Sequence, residues 1–220
     1  MGFGLIFYGF LMMIEIVVRT VSGSAVGIDI FPDLAGYLLM LAAACRLDGY
    51  AKGFGAFRKC LYPLIALGTV SFGIGIFSAT GLYTAYLEIA VDAIKMLSLI
   101  LQGVAFFYLF AGIVSLANEV ELPGIAQRAR FACAVGSVYY AFSLLLTLCY
   151  TLPLGISAAT LAPFMTVSVM LFLVYVILSE VVFFNCYRYI CYEGEEYFNP
   201  SDIESPIAKF LNKLFGKNKD

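Results

Sequence analysis

Histidine and tryptophan are absent from this 220-residue chain, and Asp, Glu, Lys and Arg together make up only 13% of it. Without histidine the commonest general base and metal ligand is missing, which removes most zinc and imidazole-relay chemistries. The six cysteines form no Cys-x-x-Cys pair. In the topology derived below, Cys45, Cys60, Cys133, Cys186 and Cys191 fall at or near the cytoplasmic side, where thiols stay reduced, so no disulfide framework is expected. A formal net charge of −2, with no basic cluster interleaved with aromatics, argues against a nucleic-acid partner. Gly-rich phosphate loops, a nucleophile elbow, His-Glu-x-x-His and paired-Cys metal sites are all missing. No cofactor and no catalytic residue are therefore expected. The one Ser–Lys pairing, Ser98 near Lys95, reads as packing rather than as a dyad. Met1-Gly2-Phe3-Gly4-Leu5 lacks the basic region of a cleavable signal, so the first helix is expected to be retained. Ile6 stands where a myristoylation signal following Gly2 would need Ser or Thr.

What the chain has in abundance is apolar surface. At 62% hydrophobic it exceeds the roughly 45–50% of soluble domains, far too much for one water-soluble core. The pattern predicts an all-α polytopic membrane bundle, with residues 1–184 as a six-helix transmembrane domain. The spans read as 2–18, 28–45, 61–79, 95–117, 131–152 and 164–184, each near the ~20 residues that a helix needs to cross the hydrocarbon. Pro32 suits the first turn of the second helix, where its missing N–H would be unpaired anyway.

Basic residues fall on alternate connections. Arg46, Lys52, Arg58 and Lys59 follow span two, Arg128 and Arg130 follow span four, and Arg188, Lys209, Lys213, Lys217 and Lys219 lie in the tail. That leaves eleven of the thirteen Lys and Arg on one side, and none at 80–87 or 152–163. Because basic loops resist translocation, both termini are expected in the cytoplasm.

Residues 185–220 read as a cytoplasmic tail. Ser205-Pro206 is a plausible start for a short amphipathic helix over about 205–216, with Ile207, Phe210, Leu211, Leu214 and Phe215 on one face and Lys209, Lys213 and Lys217 elsewhere. Such a helix suits the surface of an anionic bilayer, and a cytoplasmic partner groove would use the same pattern; a membrane-protein partner is a further expectation. Glu193, Glu195 and Glu196 read as a solvated acidic turn. In span three, Gly68, Ser71, Gly75 and Ser78 form a small-residue stripe for close helix packing. Asp29-Ile30-Phe31-Pro32-Asp33 is echoed faintly by Glu88-Ile89-Ala90-Val91-Asp92.

Ionisable groups at membrane depth are costly and often functional. Glu15 and Arg19 sit one helical turn apart in span one, and Asp29 and Asp33 lie at the start of span two. Glu88, Asp92, Lys95 and Gln102 fall within about 80° of one another on span four, as one polar stripe. All lie toward the outer face. Converged, Glu15, Arg19, Asp29, Asp33, Glu88, Asp92, Lys95 and Gln102 would line an outward-opening ligand-binding pocket. Its excess of carboxylates suits a small solute carrying positive charge, a divalent cation or a proton; whether a metal is the ligand stays open. The competing reading makes Asp29 and Asp33 helix caps, Glu15–Arg19 an interhelical ion pair and Gln102 a helix–helix hydrogen bond. Glu180 reads as an interfacial group bonded to a neighbour, with a proton-handling carboxylate as the alternative.

The stretch Gly27-Ile28-Asp29-Ile30-Phe31-Pro32-Asp33-Leu34-Ala35-Gly36-Tyr37-Leu38-Leu39 resembles a segment of uncharacterised multi-pass membrane proteins of Gram-positive bacteria. The resemblance implies a bacterial inner-membrane setting and carries no activity with it. In size, span number and placement of termini the chain is similar to the substrate-binding components of energy-coupling-factor importers. Span one, however, lacks their small-residue Ala-x-x-x-Ala docking face. Two functions follow as expectations. One is a carrier or importer subunit using the outer pocket; the other is a non-transporting accessory, immunity or sensor protein that works through helix contacts with a partner.

Overall fold

Long apolar runs that cannot be solvated bury their backbone polar groups in helices, and helices dominate the computed structural model of this chain. It describes residues 2–13, 17–19, 27–29, 33–79, 85–151 and 158–190, with the backbone alone at 17–19, 27–29, 75–79, 85–90 and 158–159. Among these are helices α1 (Gly2–Met12), α2 (Asp33–Leu47), α3 (Lys52–Ala79), α4 (Ala85–Glu119), α5 (Pro123–Thr151) and α6 (Ala158–Tyr189). Two strands, β1 (Val17–Arg19) and β2 (Gly27–Asp29), pair antiparallel with Val17 opposite Asp29 and Arg19 opposite Gly27.

The architecture is helical as expected, and the short ribbon corrects only the bounds of spans one and two. Helix α1 stops at Met12, short of the 2–18 span, and α2 begins at Asp33 rather than at 28. Val17, Val18 and Ile28 are β-branched residues whose apolarity continues a hydropathy run but whose stiff side chains suit a strand. Asp33 stands in the first turn of α2, where a carboxylate complements the positive end of the helix dipole. At the other end Gly49, with φ of 121°, lets the chain leave α2 in a conformation that L side chains rarely adopt.

Helices α3 to α6 extend beyond the 61–79, 95–117, 131–152 and 164–184 runs, carrying Lys52, Arg58, Lys59, Arg128 and Arg188 on their ends. The segments Val91–Glu119, Pro123–Thr151 and Thr160–Tyr189 are each long and apolar enough to cross a membrane. Leu145, Met170 and Ile177 are among the large apolar side chains left about 60% exposed. Water would penalise such a surface, whereas lipid covers it without cost. The chain is thus built as a helical membrane protein.

Each helix packs on its neighbours in sequence, and α6 returns to α1, so the six close into a ring. Glycines set the closest approaches. A Cβ on Gly36 would lie 2.6 Å from the Gly9 carbonyl oxygen, and one on Gly53 2.5 Å from the Gly112 nitrogen, so α1–α2 and α3–α4 touch backbone to backbone. Of the small-residue stripe, Gly68 seats the Tyr37 ring 3.5 Å from its Cβ position, whereas Ser71 faces outward. Aromatic rings fill the axis. Phe10 meets Phe106, Phe183 and Tyr175 at centroid distances of 5.2, 5.5 and 5.8 Å, and Tyr140 meets Tyr175 at 5.8 Å. Gly136 makes room for Tyr175, whose Cε2 lies 2.5 Å from where a Cβ would stand.

Candidate functional site

The polar residues expected to converge divide into three groups. Glu15 lies outside the described residues, as do the tail helix at 205–216 and Glu193, Glu195 and Glu196. Arg19, Asp29 and Glu88 are placed by their backbone. Asp33, Asp92, Lys95 and Gln102 are described in full.

Arg19 is in strand β1 rather than in the expected helical span, and Glu15, its expected one-turn neighbour, lies outside the described residues. The register instead puts Arg19 and Asp29 at diagonal positions on one face of the ribbon. Asp29 and Asp33 therefore occupy different elements, strand and helix, while Glu88 and Asp92 both lie inside α4. The echo between 29–33 and 88–92 has no structural counterpart.

Gln102 makes a contact that ties the α4 stripe to the α2 end of the site. Its amide nitrogen donates to the Tyr37 hydroxyl at 2.5 Å, and Tyr37 is only 2% exposed. The bland expectation for Gln102, a bond to a neighbouring helix, is thereby met, and the same bond positions it. Asp33 lies one turn before Tyr37 on α2, about 6 Å of rise, and is half-buried. On α4, Lys95 and Asp92 stand about 10 and 15 Å of rise before Gln102; Lys95 is exposed and Asp92 half-buried. Both helices run in the same direction, because each is antiparallel to α3 between them. Asp33, Asp92 and Lys95 therefore all stand on one side of the Tyr37–Gln102 bond. One turn below it, Phe106 opens the aromatic filling of the axis.

Tyr37 is the member that the sequence reading missed. Its one available signal is an i, i+4 spacing from Asp33, at a position where a buried tyrosine still needs a partner for its hydroxyl. Among the described residues no group of three or more Cys, Asp or Glu is placed to hold a metal ion. Cys45, Cys60, Cys133, Cys149 and Cys186 are free thiols. A cleft of about 320 Å³ lies elsewhere, between α5 and α6, lined by Arg128, Phe131 and Val181 among others.

Away from this site, Arg58 pairs with Asp48 where the 46–60 connection folds back. Glu180 departs from its expected role. Both of its carboxylate oxygens are buried, and neither has a hydrogen-bond partner among the described residues. Comparison with protein families, curated proteins and solved structures finds no match for this chain.

Proposed function

We propose that the protein is a multi-pass protein of a bacterial inner membrane, with both termini cytoplasmic, that binds a small cationic solute in an outward-facing acidic vestibule. It would serve as a carrier or as the substrate-binding subunit of an importer. The Tyr37–Gln102 hydrogen bond is the observation that carries this reading. It links the α2 end of the site to the α4 stripe and forms a floor beneath Asp33, Asp92 and Lys95. In sequence the ribbon bearing Arg19 and Asp29 comes shortly before α2. Under the floor the Phe10, Phe106, Tyr140 and Tyr175 rings pack against one another along the axis. A vestibule closed at its base suits capture of a solute rather than open conduction. Excess carboxylate over cationic charge selects for a positively charged ligand, since a bound cation relieves repulsion among partly desolvated acids.

The test uses the full chain in lipid nanodiscs, titrated calorimetrically with a panel of polyamines, amino-cations and divalent ions. Binding of one class, weakened at least tenfold by Asp33→Asn with Asp92→Asn, supports the reading. The vestibule loses its role if no cation binds and those variants leave the cellular phenotype unchanged. Loss of function on removing residues 205–220 alone would then favour the accessory protein that acts through a membrane partner. Openness is checked separately: with the native cysteines replaced, a cysteine at position 92 should react with a membrane-impermeant maleimide added from outside.

A further inference from the structure

Glu180 lies nine residues before the end of α6, about 13 Å of rise inside one of the three long apolar segments. Both carboxylate oxygens are shielded and neither accepts a hydrogen bond. At about 100° per residue, Glu180 lies roughly 20° around the helix from Tyr187 and 60° from Phe183. Those two residues face α1: Tyr187 lies 3.5 Å from the Cβ position of Gly4, and the Phe183 ring stands 5.5 Å from Phe10. The carboxyl group therefore lies on the side of α6 that meets α1, at the seam where first and last helices close the ring.

Among the described residues no positive charge faces it there. Helix α1 holds no ionisable side chain except the exposed Tyr8. From α5, Arg128 reaches α6 at the cleft by Leu178, Val181 and Val182, at least about 100° around the helix from Glu180. Tyr139 and Tyr140 of α5 pack around Tyr175 on the core face. On α6 itself Tyr187 and Arg188 are about 10 and 12 Å of rise away. An ionised carboxylate with neither donor nor counter-ion is far costlier in such surroundings than a neutral acid.

We propose that Glu180 is a proton-binding site inside the bilayer, holding its proton in the packed ring and releasing it only when the α1–α6 seam lets water in. A proton is the favoured occupant because the shielded oxygens leave no room for a bulkier cation. The site stands apart from the outer vestibule and is tested without it.

The probe is dicyclohexylcarbodiimide, a lipid-soluble reagent that adds the O–H of a protonated carboxyl across its C=N bond. The resulting O-acylisourea rearranges to a stable N-acylurea, which is readable as a mass increment on the peptide. With the full chain in nanodiscs, Glu180 should be labelled, and more strongly than any other of the fifteen acidic residues. Labelling should fall with rising pH, by about tenfold per unit beyond its midpoint. The water-soluble carbodiimide should not reach it. Glu180→Gln should abolish labelling yet elute as wild type in size exclusion, because the amide mimics the neutral acid. Absent labelling, labelling indifferent to pH, or equal reaction with the water-soluble reagent overturns the proposal. So does labelling of the purified chain that is blocked in native membranes, which would instead assign a cationic partner helix to Glu180.

Discussion

Single side chains in this protein carry different amounts of information about their surroundings. Tyr37 and Gln102 are each unremarked in sequence, yet together they make the hydrogen bond on which the candidate site rests. Tyr37→Phe leaves the Gln102 amide in the bundle without that acceptor. The expected loss is about 1 kcal/mol, the usual scale for interhelical hydrogen bonds in membranes, read by reversible unfolding in mixed micelles. Glu121 supplies the opposite case. It ends α4 with φ of 56°, while the Leu122 N–H bonds to the Ala117 carbonyl at 2.8 Å and its own N–H bonds to Asn118 at 3.3 Å. This is the Schellman pattern, with glutamate where glycine is easiest. Glu121→Gly should therefore stabilise the fold by about 1 kcal/mol by removing the left-handed penalty, measured in the same assay. Glu180 was visible as an intramembrane acid. That it has no hydrogen-bond partner among the described residues was not, since a partner is a property of the neighbouring helix and not of the residue.

Elements were legible in proportion to their length. The runs at 61–79, 95–117 and 164–184 fall within helices, as does 131–152 as far as Thr151, because about twenty mostly apolar residues leave the backbone no other way to satisfy itself. Their ends were not legible, because hydropathy stops at the first charge while the helix continues past it. Residues 2–18 and 28–45 misled more seriously. Short apolar runs serve strands and helices equally well, and Val17-Val18 belongs to a ribbon. The glycines Gly9 and Gly36 bring α1 and α2 into contact, and nothing in composition separates them from the chain's eighteen other glycines. Gly36→Leu drives a side chain into the Gly9 carbonyl. Overpacking of this kind typically costs about 1–3 kcal/mol, and the expected reading is a lower melting temperature in detergent with α3–α6 still helical by circular dichroism.

At the scale of the molecule, the ring of six helices gives each apolar face either a neighbour or the bilayer, and aromatic rings pack along its axis. The sidedness argument predicts that a green fluorescent protein fused after residue 220 fluoresces and that alkaline phosphatase fused there stays inactive. Phosphatase activity at that position, or within the 46–60 connection, would reverse the orientation and with it the outward vestibule. Helices α1 and α2 rise only about 16 and 22 Å, less than the ~30 Å hydrocarbon thickness. The β1–β2 ribbon sits between them, and its two strands bond to each other. Because α1 and α2 run antiparallel, with Gly2 beside Leu47 and Gly9 beside Gly36, the proposed topology returns the chain to the leaflet it left, whatever the depth of the ribbon. The parity of crossings is thus indifferent to how deep this first loop of the chain dips. Evolution could lengthen or shorten it, reshaping the mouth of the protein, without ever turning the rest inside out.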